Sequence, residues 1–280
     1  MPHLVARNKG ETMANSEHLA LLQAGAVRWV EWRKTNPQIE PDLSTANLQE
    51  NNLRGANLQG SNLSRVDLSN ALLVRANLSG ADLSSANLHQ AKLSEANLSA
   101  ANFSVANLSH AILTQADLSR VNLIGSDLSR AELRGAILAE ANLIGTDFSG
   151  ADLRDADLGE TKLIRSNLSF ANLIAAHLIA ADLSEANLYQ AEVMGAYLYK
   201  ANFYKANLHK AHLGSAYLFR ANLTEADLTG ADLSWANLTN ANLGGANLSS
   251  ANLRGAKLNG ANLNGANLQD AIMPDLEVCK

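Results

Sequence analysis

The chain has 280 residues, of which 47% are hydrophobic but only 5% aromatic, and its 27 acidic and 22 basic side chains leave a net charge of −5. So mild a charge aids solubility more than it selects a partner. One cysteine, Cys279, excludes a disulfide framework or a cysteine-based metal site and fits a reducing, cytoplasmic setting, and no run of about 18 apolar residues is present to span a membrane.

In chain order, residues 1–15 read as a disordered tail. They lack the basic-then-apolar pattern of a secretory signal, and Met13 stands beside Met1 as a second candidate start. Residues 16–36 read as a capping helix. Ser16 and Glu17 suit a helix start, and Leu19, Leu22, Ala26, Trp29 and Val30 recur at helical spacing, which predicts about 18 residues of helix ending near Lys34. Its expected task is to cover the open start of the repeats, because a bare end would expose apolar interior and sheet edge.

Residues 41–273 are repeats. From Leu43 to Met273 every fifth residue is Leu, Phe, Val or Met, giving 47 consecutive units without an insertion. The residue two earlier is usually Ala and the one between usually Asn or Asp, as in Ala96-Asn97-Leu98-Ser99-Ala100. A period of five does not suit a helix, on which the leucines would decorate every side. Nor does it suit a straight strand, where Ala and Leu share a face but the next Ala points the other way. Both stay inside only if the chain bends once per unit, at the Ser-x pair. Irregularities recur at steps of 20: Ile124, Ile144 and Ile164; Tyr197 and Tyr217; Tyr199 and Phe219. Stacked neighbours gain by matching, so four sides per coil are expected, nearly twelve coils in a rod of about 55 Å. The prolines, Pro2, Pro37, Pro41 and Pro274, all lie outside the repeats, within which each would delete a ladder bond. Residues 274–280 form a short C-terminal tail. That is a thin cover, which leaves end-to-end pairing of two copies through the C-terminal coil open.

The reiterated A-[N/D]-L-x-x pattern over residues 42–273 resembles the pentapeptide repeat family. The resemblance implies an all-β fold, a right-handed quadrilateral β-helix, here with an N-terminal capping α-helix. The leader Trp29-x-x-Trp32-Arg33-x-x-Asn36-Pro37 and the tail Ala271-Ile272-Met273-Pro274-Asp275 look like those of cyanobacterial members. Some members of the family mimic DNA and protect or inhibit type II topoisomerases, and another regulates heterocyst differentiation through protein contacts. The resemblance therefore carries fold further than function.

All five tyrosines lie in residues 189–217. Counting units puts His177, Tyr197 and Tyr217 in one outward column and Ile179, Tyr199 and Phe219 in its neighbour on the same face. Tyr204 follows around the next corner, on the face of the Ile124, Ile144 and Ile164 column. An exposed apolar patch of this kind marks an interaction site, whereas plain stacking would be needed uniformly along the rod. The expected function is a non-enzymatic interaction or regulatory scaffold that takes a protein partner on this patch. Lys200, Lys205, Lys210 and Arg220, with His209 and His212, read as a solvated rim and not as a single-strand nucleic-acid groove. Glu132, Glu140, Asp147, Asp152, Asp155, Asp157 and Glu160 read as ordinary Asp-for-Asn exchange and acidic surface on a convex rod without a cleft.

No catalytic, cofactor or metal site is expected. His89 and His110 fall on adjacent coils without further convergent ligands, and neither a G-x-S-x-G elbow nor a Walker-type loop is present. The alternative is a DNA mimic acting on gyrase. A 55 Å mimic of duplex would replace about 32 negative charges, against 23 acidic and 17 basic residues in segment 41–280, with Arg134 and Arg154 interrupting the most acidic stretch.

Overall fold

The computed structural model describes residues 14–275. The repeats wind as a four-sided coil in which the central residue of every unit pairs, parallel, with the residue 20 positions on, from Asp42 with Asn62 to Asn252 with Ile272. We call the sides faces 1 to 4, after the first-coil units 41–45, 46–50, 51–55 and 56–60. Each side is only one bridge wide. The Leu98 amide donates to the Asp117 carbonyl on the next coil at 2.7 Å, and the Asn97 amide donates to the Ala76 carbonyl on the coil before at 2.9 Å. The ladder is thus continuous along the rod although no strand is long.

The corner is a tight turn. The Ala101 amide donates back to the Leu98 carbonyl at 3.1 Å, and Ala100 between them holds φ 56°. A positive φ at the third residue defines a type II turn, and every fifth residue from Thr45 to Asp270 has one. Most of these residues are not glycine, and a left-handed conformation costs an L-residue about 1–2 kcal/mol. Stacking overrides that local cost, because a corner that relaxed would break the bridges on both of its sides.

The bend turns both apolar positions inward. Leu43 to Leu253 and their companion alanines are almost wholly buried, with Phe103, Phe148 and Phe203 in leucine positions. Each buried leucine contributes roughly 1.5–3 kcal/mol. A few alanine positions hold hydroxyls, and these bond to carbonyls: Ser126 to Phe103 and Thr146 to Leu123, each at 2.7 Å. Ser61 is the exception, its Oγ buried without a partner.

The cap departs from the expected single helix. Helix α1 spans Ser16–Gln23 and α2 spans Ala26–Thr35. Between them Gly25 takes φ 105°, a conformation L side chains resist. The break lets Leu22 and Trp29 both reach the core. Asn15, not Ser16, caps α1, its side chain accepting from the amides of Glu17 and His18. Ala14 and Asn15 therefore belong to the cap; the rest of the expected tail, both candidate starts and Cys279 lie outside the described residues.

The cap also satisfies first-coil groups that have no coil before them. The Asn15 amide donates to the Asp42 carbonyl at 3.0 Å, Trp29 Nε1 to the Asn57 carbonyl at 2.7 Å and Arg33 Nη2 to the Gln59 carbonyl at 2.8 Å. The Asp42 amide donates to His18 Nδ1. At the other end Leu258, Leu263 and Leu268 are only partly buried.

Two substitutions test this account of the corner and the core. Val105 is exposed and β-branched yet sits at φ 58°; Val105→Asn should raise stability by about 1 kcal/mol, and a lower urea midpoint would contradict the corner strain. Ser61→Ala removes an unpaired buried hydroxyl and should likewise stabilise by about 1 kcal/mol, whereas a loss by the same measurement would mean that the hydroxyl is bonded.

Candidate protein-docking face

The four faces are not equivalent. The central residue is Asn or Asp throughout face 2 and, apart from Lys162, throughout face 1. There the side chain has two structural tasks. Its Oδ1 accepts the amide two residues on, as Asn102 does for Ser104 at 3.2 Å, and where it is asparagine its Nδ2 donates to the coil before, as Asn102 does to Asp82 at 2.9 Å. The first bond is an Asx turn, which pins the corner. Faces 3 and 4 depart from this pattern, face 4 with Ile137, His177, Tyr197, Tyr217 and Lys257.

Two successive coils of face 4 carry tyrosine at the centre and a third carries histidine, and all three give up the Asx bond. Asp157 still accepts the Gly159 amide and Asn237 the Thr239 amide. Between them, the amides of Ile179, Tyr199 and Phe219 have no such acceptor among the described residues, because His177, Tyr197 and Tyr217 occupy the centres. A hydrogen bond of this kind is worth roughly 0.5–1.5 kcal/mol. Face 3 gives up the same bond on four successive coils, at Leu72, Lys92, Ile112 and Glu132, so what sets face 4 apart is that rings fill the vacated centres.

Six of the seven residues singled out by sequence gather here. Ile179, Tyr197, Tyr199, Tyr217 and Phe219 line one apolar groove of about 320 Å³. His177 meets Tyr197 edge to face with ring centroids 4.8 Å apart. Tyr199 stacks on Phe219 at 5.8 Å, and Tyr217 leans on Phe219 at 6.1 Å. Tyr197 keeps 48% and Tyr217 41% of its surface exposed, so nearly half of each residue is free for a partner. Lys200 and Arg220 lie over the Tyr199 and Phe219 rings, 5.1 and 5.3 Å from their centroids. Two of the rim cations thus rest on the groove's own aromatics. Tyr204 does not line the groove. It stands on face 1, half-buried, with Lys205 over its ring and Lys205 in turn 3.5 Å from Glu225.

Sequence reasoning passed over two exposed aromatics, Trp235 and Phe170. Both occupy the third residue of a turn, where a side chain points outward whatever its chemistry. Trp235 ends the face 3 unit one coil beyond Tyr217 and lies flat over Gly255, where an added Cβ would come within 2.6 Å of the indole. Phe170 packs against Tyr189, which stacks on His209 at 5.7 Å, forming a separate aromatic run between faces 2 and 3. The turn register was the signal that would have found them.

The acidic surface is also not uniformly convex. Ala139, Glu140, Asp157, Gly159, Glu160, His177 and Ile179 line a shallow depression of about 260 Å³. Ala139 and Gly159 offer almost no side chain, so the flanking groups stand above them. Ile179 belongs to both hollows, which makes the depression continuous with the aromatic groove. Two of the other four acidic side chains in the stretch are paired: Arg134 reaches Asp155 at 3.3 Å, and Arg154 bonds Asp152. The Arg154 hydrogen bond holds the Asp152 carboxyl below the usual range, against the opposing effect of burial. His89 and His110 meet edge to face at 5.6 Å, and among the described residues no three His, Cys, Asp or Glu side chains converge to hold a metal ion. No helix among them is long and apolar enough to cross a membrane.

Comparison with known proteins agrees with this architecture. The family model for pentapeptide repeats matches in successive stretches that run from 42–65 to 246–275. Among solved structures the chain is similar to HetL, a pentapeptide repeat protein involved in heterocyst differentiation regulation from the cyanobacterium Nostoc sp. strain PCC 7120. The identity is 36% over 89% of this chain and 98% of that one, with a TM-score of 0.62. QnrB1, a plasmid-mediated fluoroquinolone resistance protein, aligns at 19% identity over 72% of this chain and 88% of that one, with a TM-score of 0.52. That second likeness is one of fold. A search of the curated proteins finds no match. The shared architecture is a right-handed quadrilateral β-helix.

Proposed function

The chain belongs to the pentapeptide repeat family, and on that footing we propose that it is a non-enzymatic interaction protein that docks a protein partner on face 4. The observation that carries this reading is the exchange on three successive coils of a structural Asx bond for aromatic rings, two of them nearly half-exposed tyrosines. On face 3 the positions that lack the bond hold Leu72, Lys92, Ile112 and Glu132, whereas on face 4 they hold a run of rings that line a groove. Tyrosine and arginine are also among the side chains that dominate binding energy at protein interfaces. The relationship to HetL, whose described role is regulatory, agrees with an interaction protein.

A DNA-mimic role directed at a topoisomerase draws less support. Asp152 and Asp155, in the most acidic stretch, are neutralised by Arg154 and Arg134, whereas duplex DNA presents about one unpaired charge every 1.7 Å.

The test is a paired capture experiment. Tyr199→Ser together with Phe219→Ser changes only outward positions, so the circular dichroism spectrum and denaturation midpoint should stay close to those of the native chain. Capture of the native chain's specific partners from an extract of the source organism should fall to background. Undiminished capture by the folded double variant would remove face 4 as the docking site.

A further inference from the structure

We infer that the occupant of face 4 is an extended segment of the partner, bearing a lysine or arginine about three residues from an aromatic or large aliphatic side chain. This rests on the docking reading above and deepens it by naming the chemistry of what is docked.

The argument begins with charge. Glu140, Asp157 and Glu160 border the depression that runs into the aromatic groove. Among the described residues none of the three forms an ion pair with a cation, although elsewhere Arg75 pairs with Glu95, Lys205 with Glu225 and Arg134 with Asp155 across neighbouring coils. The rod therefore offers three carboxylates outside any ion pair at one end of an apolar groove, with Arg120 on the coil before Glu140 at the far edge from the rings. Complementary charge at the edge of an apolar contact speeds encounter and fixes register. A basic side chain fits there, and a phosphate backbone is repelled.

Geometry then selects the form of the segment. The outward columns through Tyr197 and Tyr217 and through Tyr199 and Phe219 are two residues apart, about 7 Å along the strand direction. An α-helix about 10–12 Å across cannot sink between them, whereas a single extended backbone can, with side chains resting on the rings. From Glu160 to Tyr199 is two coils, about 10 Å at the spacing of stacked strands. An extended chain covers that distance in about three residues. The whole strip from Glu140 to Phe219 spans four coils, about 19 Å, which roughly six residues would cover.

The groove supplies the apolar end. Tyr197, Tyr199, Tyr217 and Phe219 present ring faces and edges, with Lys200 and Arg220 resting on two of the rings. His177 joins the two ends, lining the acidic depression while its ring touches Tyr197. One strip thus runs from carboxylates through an imidazole to aromatics, without a break in the register of columns.

A phage-displayed library of random dodecapeptides, panned on the full chain with the Tyr199→Ser/Phe219→Ser variant kept for the later binding comparison, tests the proposal. Enriched sequences should carry Lys or Arg about three places from Trp, Tyr, Phe, Leu or Ile. A fluorescein-labelled enriched peptide, followed by anisotropy, should bind the Glu140→Gln/Asp157→Asn/Glu160→Gln variant at least tenfold more weakly. The asparagine in that variant keeps the side-chain oxygen with which Asp157 accepts the Gly159 amide, so the loss would report charge and not a broken turn. Failure to enrich any peptide overturns the inference, as does enrichment of sequences without a basic residue or equal affinity for the neutralised variant. In these last two cases, continued loss of binding in the Tyr199→Ser/Phe219→Ser variant would leave the docking face standing while the charge assignment falls. Binding unaffected by that variant would remove both.

Discussion

The whole molecule depends on a corner that repeats every five residues. A turn with one residue near φ +57° redirects the chain so that Leu and its companion Ala both face the interior, and so that each unit lies over the unit 20 residues earlier. Neither result is available without the other. The conformational cost recurs at many non-glycine corners, yet the ladder and the buried leucines on each side of a corner outweigh it. Stability in such a stack comes from neighbouring coils and not from distant contacts, so a local departure is tolerated as long as the inward positions are kept.

That tolerance explains where function can reside. Inward positions change only between Leu, Phe and Val in the interior coils or between Ala, Val and small polar groups. Faces 1 and 2 are constrained on the outside too, because Asn and Asp there tie one coil to the next and pin the turn. Faces 3 and 4 carry less of that network, and it is on face 4 that rings, carboxylates and an imidazole form one continuous strip. The proposed binding chemistry occupies a side on which the fold demands less.

Much of this was legible in the sequence, for physical reasons that can be named. The inward Leu and Ala set the period, and matched outward pairs such as Tyr197 with Tyr217 set the number of sides, because like side chains stack across coils. Six of the residues chosen for the binding patch come together for the same reason. Tyr204 does not line the groove, because the corner at Lys200 separates face 4 from face 1. Less legible were features that depend on what is absent. Gly25 divides the cap into two helices, although the apolar spacing runs through it unbroken. The acidic depression exists because Ala139 and Gly159 lack bulk, which an inventory of charges does not register. Trp235 and Phe170 are exposed by their turn position and not by any pattern in their neighbours.

The central claim is that the rings on face 4 are present for a partner and not for the stack. Restoring the repeat's own residue at all three centres, His177→Asn with Tyr197→Asn and Tyr217→Asn, tests it by measuring denaturation midpoint and partner capture on one protein. Regained bonds to the amides of Ile179, Tyr199 and Phe219 should hold or raise the midpoint while capture disappears. A clear drop in midpoint with capture intact would mean that the rings support the coil, and the account would be contradicted.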